Sequence, residues 1–174
     1  MLALLATACS SAEPTTTTTA ALDEASSDSA AIYAVALNQL VTEDNGFGGG
    51  GNPFSELLVQ TSLDPAAGLA VASAQNEVRP LTAEERSAIE MALAPIAPVR
   101  WIDDADEWRT EDLLPVVEGS AILGVGPITF DDGGALVPMS MWCGGLCGTW
   151  FTYRVIQSDE GWLVSGVEGP IAVS

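Results

Sequence analysis

From Ile32 to Val41 apolar side chains recur at spacings of three and four (Ile32, Tyr33, Val35, Ala36, Leu37, Leu40, Val41). That is the period of one helical face, and it predicts a helix starting near Ala30 with Asp28 or Ser29 as its cap. The glycine run Gly48–Gly51 inside Thr42–Asn52 ends it. Leu57–Leu63 reads as a short buried strand closed by Asp64-Pro65, and Ala66–Val78 fits a loop and a loose helical turn equally. Thr82 followed by Glu85 spells a capping box, in which hydroxyl and carboxylate satisfy each other's backbone donors. Ile89, Ala92, Leu93 and Ile96 then share a helical face that Pro95 and Pro98 terminate, before a short strand at Val99–Ile102. From Ala121 the pattern changes to strands and turns: Ala121–Phe130, Ala135–Cys143, Gly148–Gln157 and Trp162–Val167, joined by Asp- and Gly-containing links of hairpin length. The expected fold class is α+β, two N-terminal helices packed on a mostly antiparallel sheet with a C-terminal four-stranded meander. Alternation puts Phe151, Tyr153 and Val155 on one face of its third strand, and Trp150, Thr152, Arg154 and Ile156 on the other.

Three parts are expected along the chain: a signal-like segment at residues 1–8, a tether at 9–29, and a single α+β domain at 30–174. Residues 10–29 are Thr, Ser, Ala and acid with almost no large apolar side chain, so they cannot offset the entropy of ordering. The remainder is long enough to bury an ordinary core. Asp and Glu number 24 against five basic residues, all arginine, and the formal charge is −19. Nucleic acid is therefore not an expected partner, because phosphate binding is driven by clusters of Lys and Arg.

The apolar run Leu2–Ala8 meets Cys9 and gives way to Ser10, Ser11 and the tract Thr15–Thr19. Ala6-Thr7-Ala8 places small residues directly before that cysteine, as lipoprotein processing requires, although no Lys or Arg supplies a positive n-region ahead of it. Cys9 is thus the candidate lipidation site, and the membrane, reached through it, the expected partner. A second motif, Trp142-Cys143-Gly144-Gly145-Leu146-Cys147-Gly148, sets two cysteines around a three-residue, glycine-led loop. Such a hairpin brings Cys143 opposite Cys147 at disulfide distance, and export would leave the pair oxidised.

With no histidine and no lysine in the chain, Ser-His-Asp triads, Cys-His dyads, histidine metal sites and Schiff bases are excluded. Carboxylates remain. Asp103, Asp104, Asp106, Glu107, Glu111 and Asp112 offer oxygens for a calcium ion, with Asp103, Asp104 and Asp106 as the candidate ligands, or in principle for a carboxylate hydrolase. Trp142, Trp150 and Trp162 fall on three successive strands, where neighbouring rings would make a ligand-binding face for sugar or peptide if they are not simply packed in the core. No cofactor is expected and no catalytic residue is singled out.

Gly126-Pro127-Ile128, Cys143-Gly144-Gly145-Leu146-Cys147-Gly148, Thr152-Tyr153, Gly161-Trp162 and Gly169-Pro170, together with Ala31–Val35 and Leu81–Arg86, resemble a pattern met in secreted or lipid-anchored bacterial proteins of actinobacterial type. The resemblance implies export and an α+β fold and carries no activity to any residue. The expected function is that of a cell-envelope lipoprotein acting as a non-catalytic binding or interaction module, for a protein or glycan partner. The alternative is an exported carboxylate-dependent hydrolase.

Overall fold

A computed structural model describes residues 17–48, 53–69 and 78–174, with side chains of the first helix described from residue 27 onward. Its elements are α1 (Thr17–Thr42), β1 (Glu56–Gln60), α2 (Ala83–Leu93), β2 (Val99–Ile102), β3 (Ser120–Val125), β4 (Thr129–Asp131), β5 (Gly134–Gly144), β6 (Cys147–Ser158) and β7 (Gly161–Val173). The α+β class holds: two helices cover one face of a mostly antiparallel sheet that ends in a meander.

Strand order is β2-β1-β3-β5-β6-β7, with β4 also pairing β5. β1 is parallel to both β2 and β3, and α2 makes the crossover between β1 and β2. The strand expected to run from Ala121 to Phe130 is broken into β3 and β4, both antiparallel to β5. Pro127, which has no N–H to give a ladder, sits at the break. The backbone of Gly126 there donates to Pro138 O at 2.8 Å and accepts the Tyr33 hydroxyl at 3.0 Å.

Helix α1 starts at Thr17, so neither Asp28 nor Ser29 caps it and the boundary placed at residue 29 falls inside a helix. A helix already held by packing at Ile32–Val41 propagates backward cheaply, and no proline or glycine interrupts Thr15–Ala31. Cys9 and the signal-like segment lie outside the described residues. Among those described, no helix is long and apolar enough to cross a membrane.

The core forms where the helices meet the sheet. Ile32, Ala36, Leu37 and Leu40 of α1 and Ile89 and Leu93 of α2 pack on Leu57, Val59, Leu123, Val137, Met139, Phe151, Tyr153 and Val155, so the alternation read along the third meander strand is correct. A smaller cluster of Leu58, Ile102 and Ile122 lies on the opposite face, roofed by Ala105, Trp108 and Trp142. β3 is consequently buried along its whole length. The capping box of α2 is formed: Thr82 Oγ1 accepts from Glu85 N, and Glu85 Oε2 accepts from Thr82 N.

Candidate functional site

The three tryptophans expected on one face are divided by the strand register. Trp142 pairs with Gly148, and Ser140 with Trp150, which puts both indoles on the outer face, away from the helices. There Trp142 lies under the Arg109 guanidinium, 4.9 Å from the ring centroid, and the Trp150 ring lies over Gly148, where a Cβ would stand 2.5 Å from it. Trp162 faces the other way. It packs beside the main core against α1, and its Nε1 donates to Asp28 Oδ1 at 3.1 Å. A shared face of three rings is ruled out because the turn before Trp162 and the pairing of Gln157 with Trp162 give it the parity of Val155, not of Trp150.

The acidic stretch does not converge. Asp103 accepts from Thr61 Oγ1 at 2.6 Å, Asp104 from the backbone N–H of Asp106 at 2.9 Å, and Asp106 pairs with Arg109 at 3.1 Å. No cluster of three metal-ligating side chains occurs among the described residues, so Asp103, Asp104 and Asp106 are spent separately on a loop. Folding over the outer face, that loop aims its carboxylates at local donors.

Cys143 and Cys147 are joined, with Cα atoms 5.0 Å apart. The register around them corrects the expected loop. Gly144 pairs with Cys147 and Trp142 with Gly148, leaving Cys143 as the extra residue of a bulge and Gly145-Leu146 as a two-residue turn. Gly144 takes φ +148°, a conformation closed to ordinary side chains, which is why glycine is needed there.

Among the described residues, concavities of three kinds offer themselves as sites. Below the disulfide, a space of about 350 Å³ is walled by Phe47, Met141, Leu146 and Val173. Thr149 Oγ1, buried and without a hydrogen-bond partner among the described residues, belongs to this wall. A second space of about 340 Å³ opens beside Tyr33, Arg79 and Glu85. Glu85 is 0 % exposed yet charged: burial works to raise its pKa, but the fork of Arg79 (2.7 and 2.8 Å), the Thr82 N–H (2.8 Å) and the Ser29 hydroxyl (3.0 Å) together hold it below the ordinary value. Burial also lifts the Tyr33 phenol well above its usual range, with the nearby Glu85 charge adding to the effect. A carboxylate so thoroughly bonded is a poor proton carrier, and the arrangement ties α1 to the start of α2.

The third space, of about 370 Å³, is a trough between α1 and the start of β7, with Trp162 and Val164 on one wall and Val35, Asn38 and Gln39 on the other. Both amides are held by the protein: Asn38 Nδ2 donates to the O of Ala92, itself a lining residue, at 3.3 Å and Gln39 Nε2 to Asp44 Oδ2 at 3.1 Å. Asp44 in turn accepts the Tyr153 hydroxyl at 2.7 Å, and burial followed by this bond pushes the Tyr153 pKa far upward. Sequence reasoning missed Asn38 and Gln39. No sequence signal marked them, since both fall on the polar flank that the apolar stripe of α1 leaves facing outward.

No family model, no curated protein and no solved structure matches this chain. Function must be argued from its own residues. All five arginines are engaged: Arg79 with Glu85, Arg86 over Trp101, Arg100 with Glu56 and Trp108, Arg109 with Asp106 and Trp142, and Arg154 with Asp131 and Glu168. Hydrogen bonding to Arg154 draws the carboxyls of Asp131 and Glu168 below their ordinary range.

Proposed function

We propose that the chain is an extracytoplasmic, lipid-anchored binding module: Cys9 carries the lipid, and the domain presents a small-molecule or glycan site without catalysing a reaction. The observation that carries this reading is the Cys143–Cys147 bond across the β5–β6 hairpin, because such pairs persist where thiols are oxidised, outside the cytoplasm. It agrees with the lipoprotein-like sequence around Cys9.

Three carboxyl groups are unsuited to act as general acids. A general acid needs a carboxyl lifted toward neutrality, whereas Glu85, Asp131 and Glu168 are all shifted downward by arginine partners. Polyanionic ligands fit poorly, since every guanidinium already has an acid or an indole against it and the net charge is −19.

The test is the intact mass of protein extracted from its native membrane, alkylated before and after reduction. A chain beginning at a lipid-modified Cys9, with two further thiols alkylated only after reduction, supports the proposal. An unmodified chain recovered from the soluble fraction with all three thiols free overturns it.

A further inference from the structure

We propose that the trough between α1 and β7 binds one ring of a neutral sugar, with Trp162 as the stacking platform and the Asn38 and Gln39 amides as partners for its hydroxyls. This deepens the binding-module reading by naming the ligand class, and it rests on that reading only for the encounter with glycan, not for the chemistry of the site.

A pyranose has an apolar C–H face and an edge of hydroxyls that both donate and accept. An indole complements the face, and a primary amide, which carries a carbonyl acceptor and two N–H donors, complements the edge. Here the two kinds of group stand on opposite walls of a space of about 370 Å³, within the size range of small-ligand sites. Both walls are fixed in advance. The indole is held by its Nε1 bond to Asp28 Oδ1, and each amide spends one N–H on a protein acceptor, Ala92 O or Asp44 Oδ2. Each amide thereby keeps an oxygen and a second N–H with no partner among the described residues. Preorganisation of this kind lowers the entropy lost on binding.

An anionic ligand finds no partner here. Among the described residues no ionisable side chain lines the trough, and the two carboxylates bonded to its lining already accept hydrogen bonds, Asp28 from Trp162 and Asp44 from Tyr153 and Gln39. An anionic sugar would enter the field of a chain carrying −19 with no cation to receive it. The two other spaces match a sugar less well: the one below the disulfide has polar groups in Asn45, Thr149 and Ser174 but no indole to meet a sugar's C–H face, and the one beside Arg79 is built on an ion pair closed on itself.

The experiment titrates the full chain with neutral oligosaccharides, a glucose tetramer and an N-acetylglucosamine tetramer, following tryptophan fluorescence and calorimetric heat, with a uronic-acid tetramer as the charged comparison. Saturable binding of a neutral probe is expected. Asn38→Ala should weaken it about five- to tenfold, the equivalent of one lost hydrogen bond. Trp162→Ala should abolish it while Trp162→Phe retains part, and Trp150→Phe on the other face of the sheet should leave it unchanged. Circular dichroism checks that each variant is folded, and Asn38→Ala, a trough-wall change outside the core, carries the test if Trp162→Ala does not fold. No saturable binding of either neutral probe overturns the proposal, as does binding unaffected by Asn38→Ala and Trp162→Phe, tighter binding of the uronic acid, or capture of a peptide in the trough instead. A null titration alongside a lipid-modified Cys9 would sink the sugar site alone, and the reverse outcome would sink the anchor alone.

Discussion

Removing Arg79 is the sharpest test of how the two helices are tied together, because it leaves Glu85 buried with its charge uncompensated. Glu85 is 0 % exposed, whereas the Arg79 side chain is 41 % exposed, so the two members of the pair are not equivalent. Deleting one partner of a buried pair costs roughly 3–5 kcal/mol. Glu85 would still accept from the Thr82 N–H and the Ser29 hydroxyl, which places Arg79→Met at the lower end, about 3 kcal/mol at neutral pH. Glu85→Gln strands only a half-exposed guanidinium that can turn to water, and weakens the cap of α2, for about 1–2 kcal/mol. The signs with pH differ in origin. In the native chain the folded pKa of Glu85 is depressed, so its contribution is present above the ordinary value of 4.5 and is lost as pH falls through the folded value. In Arg79→Met burial dominates and raises the folded pKa, so stability is greatest in acid and falls as pH rises through that value. Urea unfolding of both variants at a series of pH values from 4 to 8 reads the difference directly. An Arg79→Met cost below about 1 kcal/mol at neutral pH, or one independent of pH, would refute the reasoning.

Three further outcomes are expected. Cys143→Ser, or reduction, should lower stability by about 2 kcal/mol by the chain-entropy estimate for so short a loop, read as a shift of the urea midpoint at unchanged slope. Gly134→Ala should cost roughly 1–3 kcal/mol, since Gly134 holds φ +120° and an added Cβ would run into the carbonyl of Val155; thermal melts that coincide with the parent would contradict this. Tyr153→Phe deletes the 2.7 Å bond to Asp44 and should cost about 1.5 kcal/mol, and if the Asn38–Gln39 wall depends on that support it should also weaken any sugar binding in the trough.

Local patterns were legible where one short-range rule governs. The capping box at Thr82 and Glu85 follows from three-residue spacing, the helical stripe Ile32–Val41 from period 3.6, and the alternation Phe151, Tyr153, Val155 from period two. The pairing of Cys143 with Cys147 follows from their flanking a short glycine-led loop between two strand patterns. The chain alone therefore determined fold class, the meander, the core faces and the acidic balance.

Tertiary structure decided what depends on register and on partners far along the chain. β1 became parallel to β2 because α2 carries the chain back across the sheet, and parallel to β3 because residues 103–119 return it once more, connections that apolar runs cannot reveal. A bulge at Cys143 shortened the hairpin turn to two residues, and the pairing of Gln157 with Trp162 sent that indole to the helix side while Trp142 and Trp150 stayed outside. The Asp103–Asp106 carboxylates, adjacent in sequence, each found a separate donor. The trough itself joins Asn38 and Gln39 to Trp162, residues more than a hundred positions apart. Sequence periodicity says which side of its own element a residue occupies; only the packing of one element on another says which residue waits across the gap.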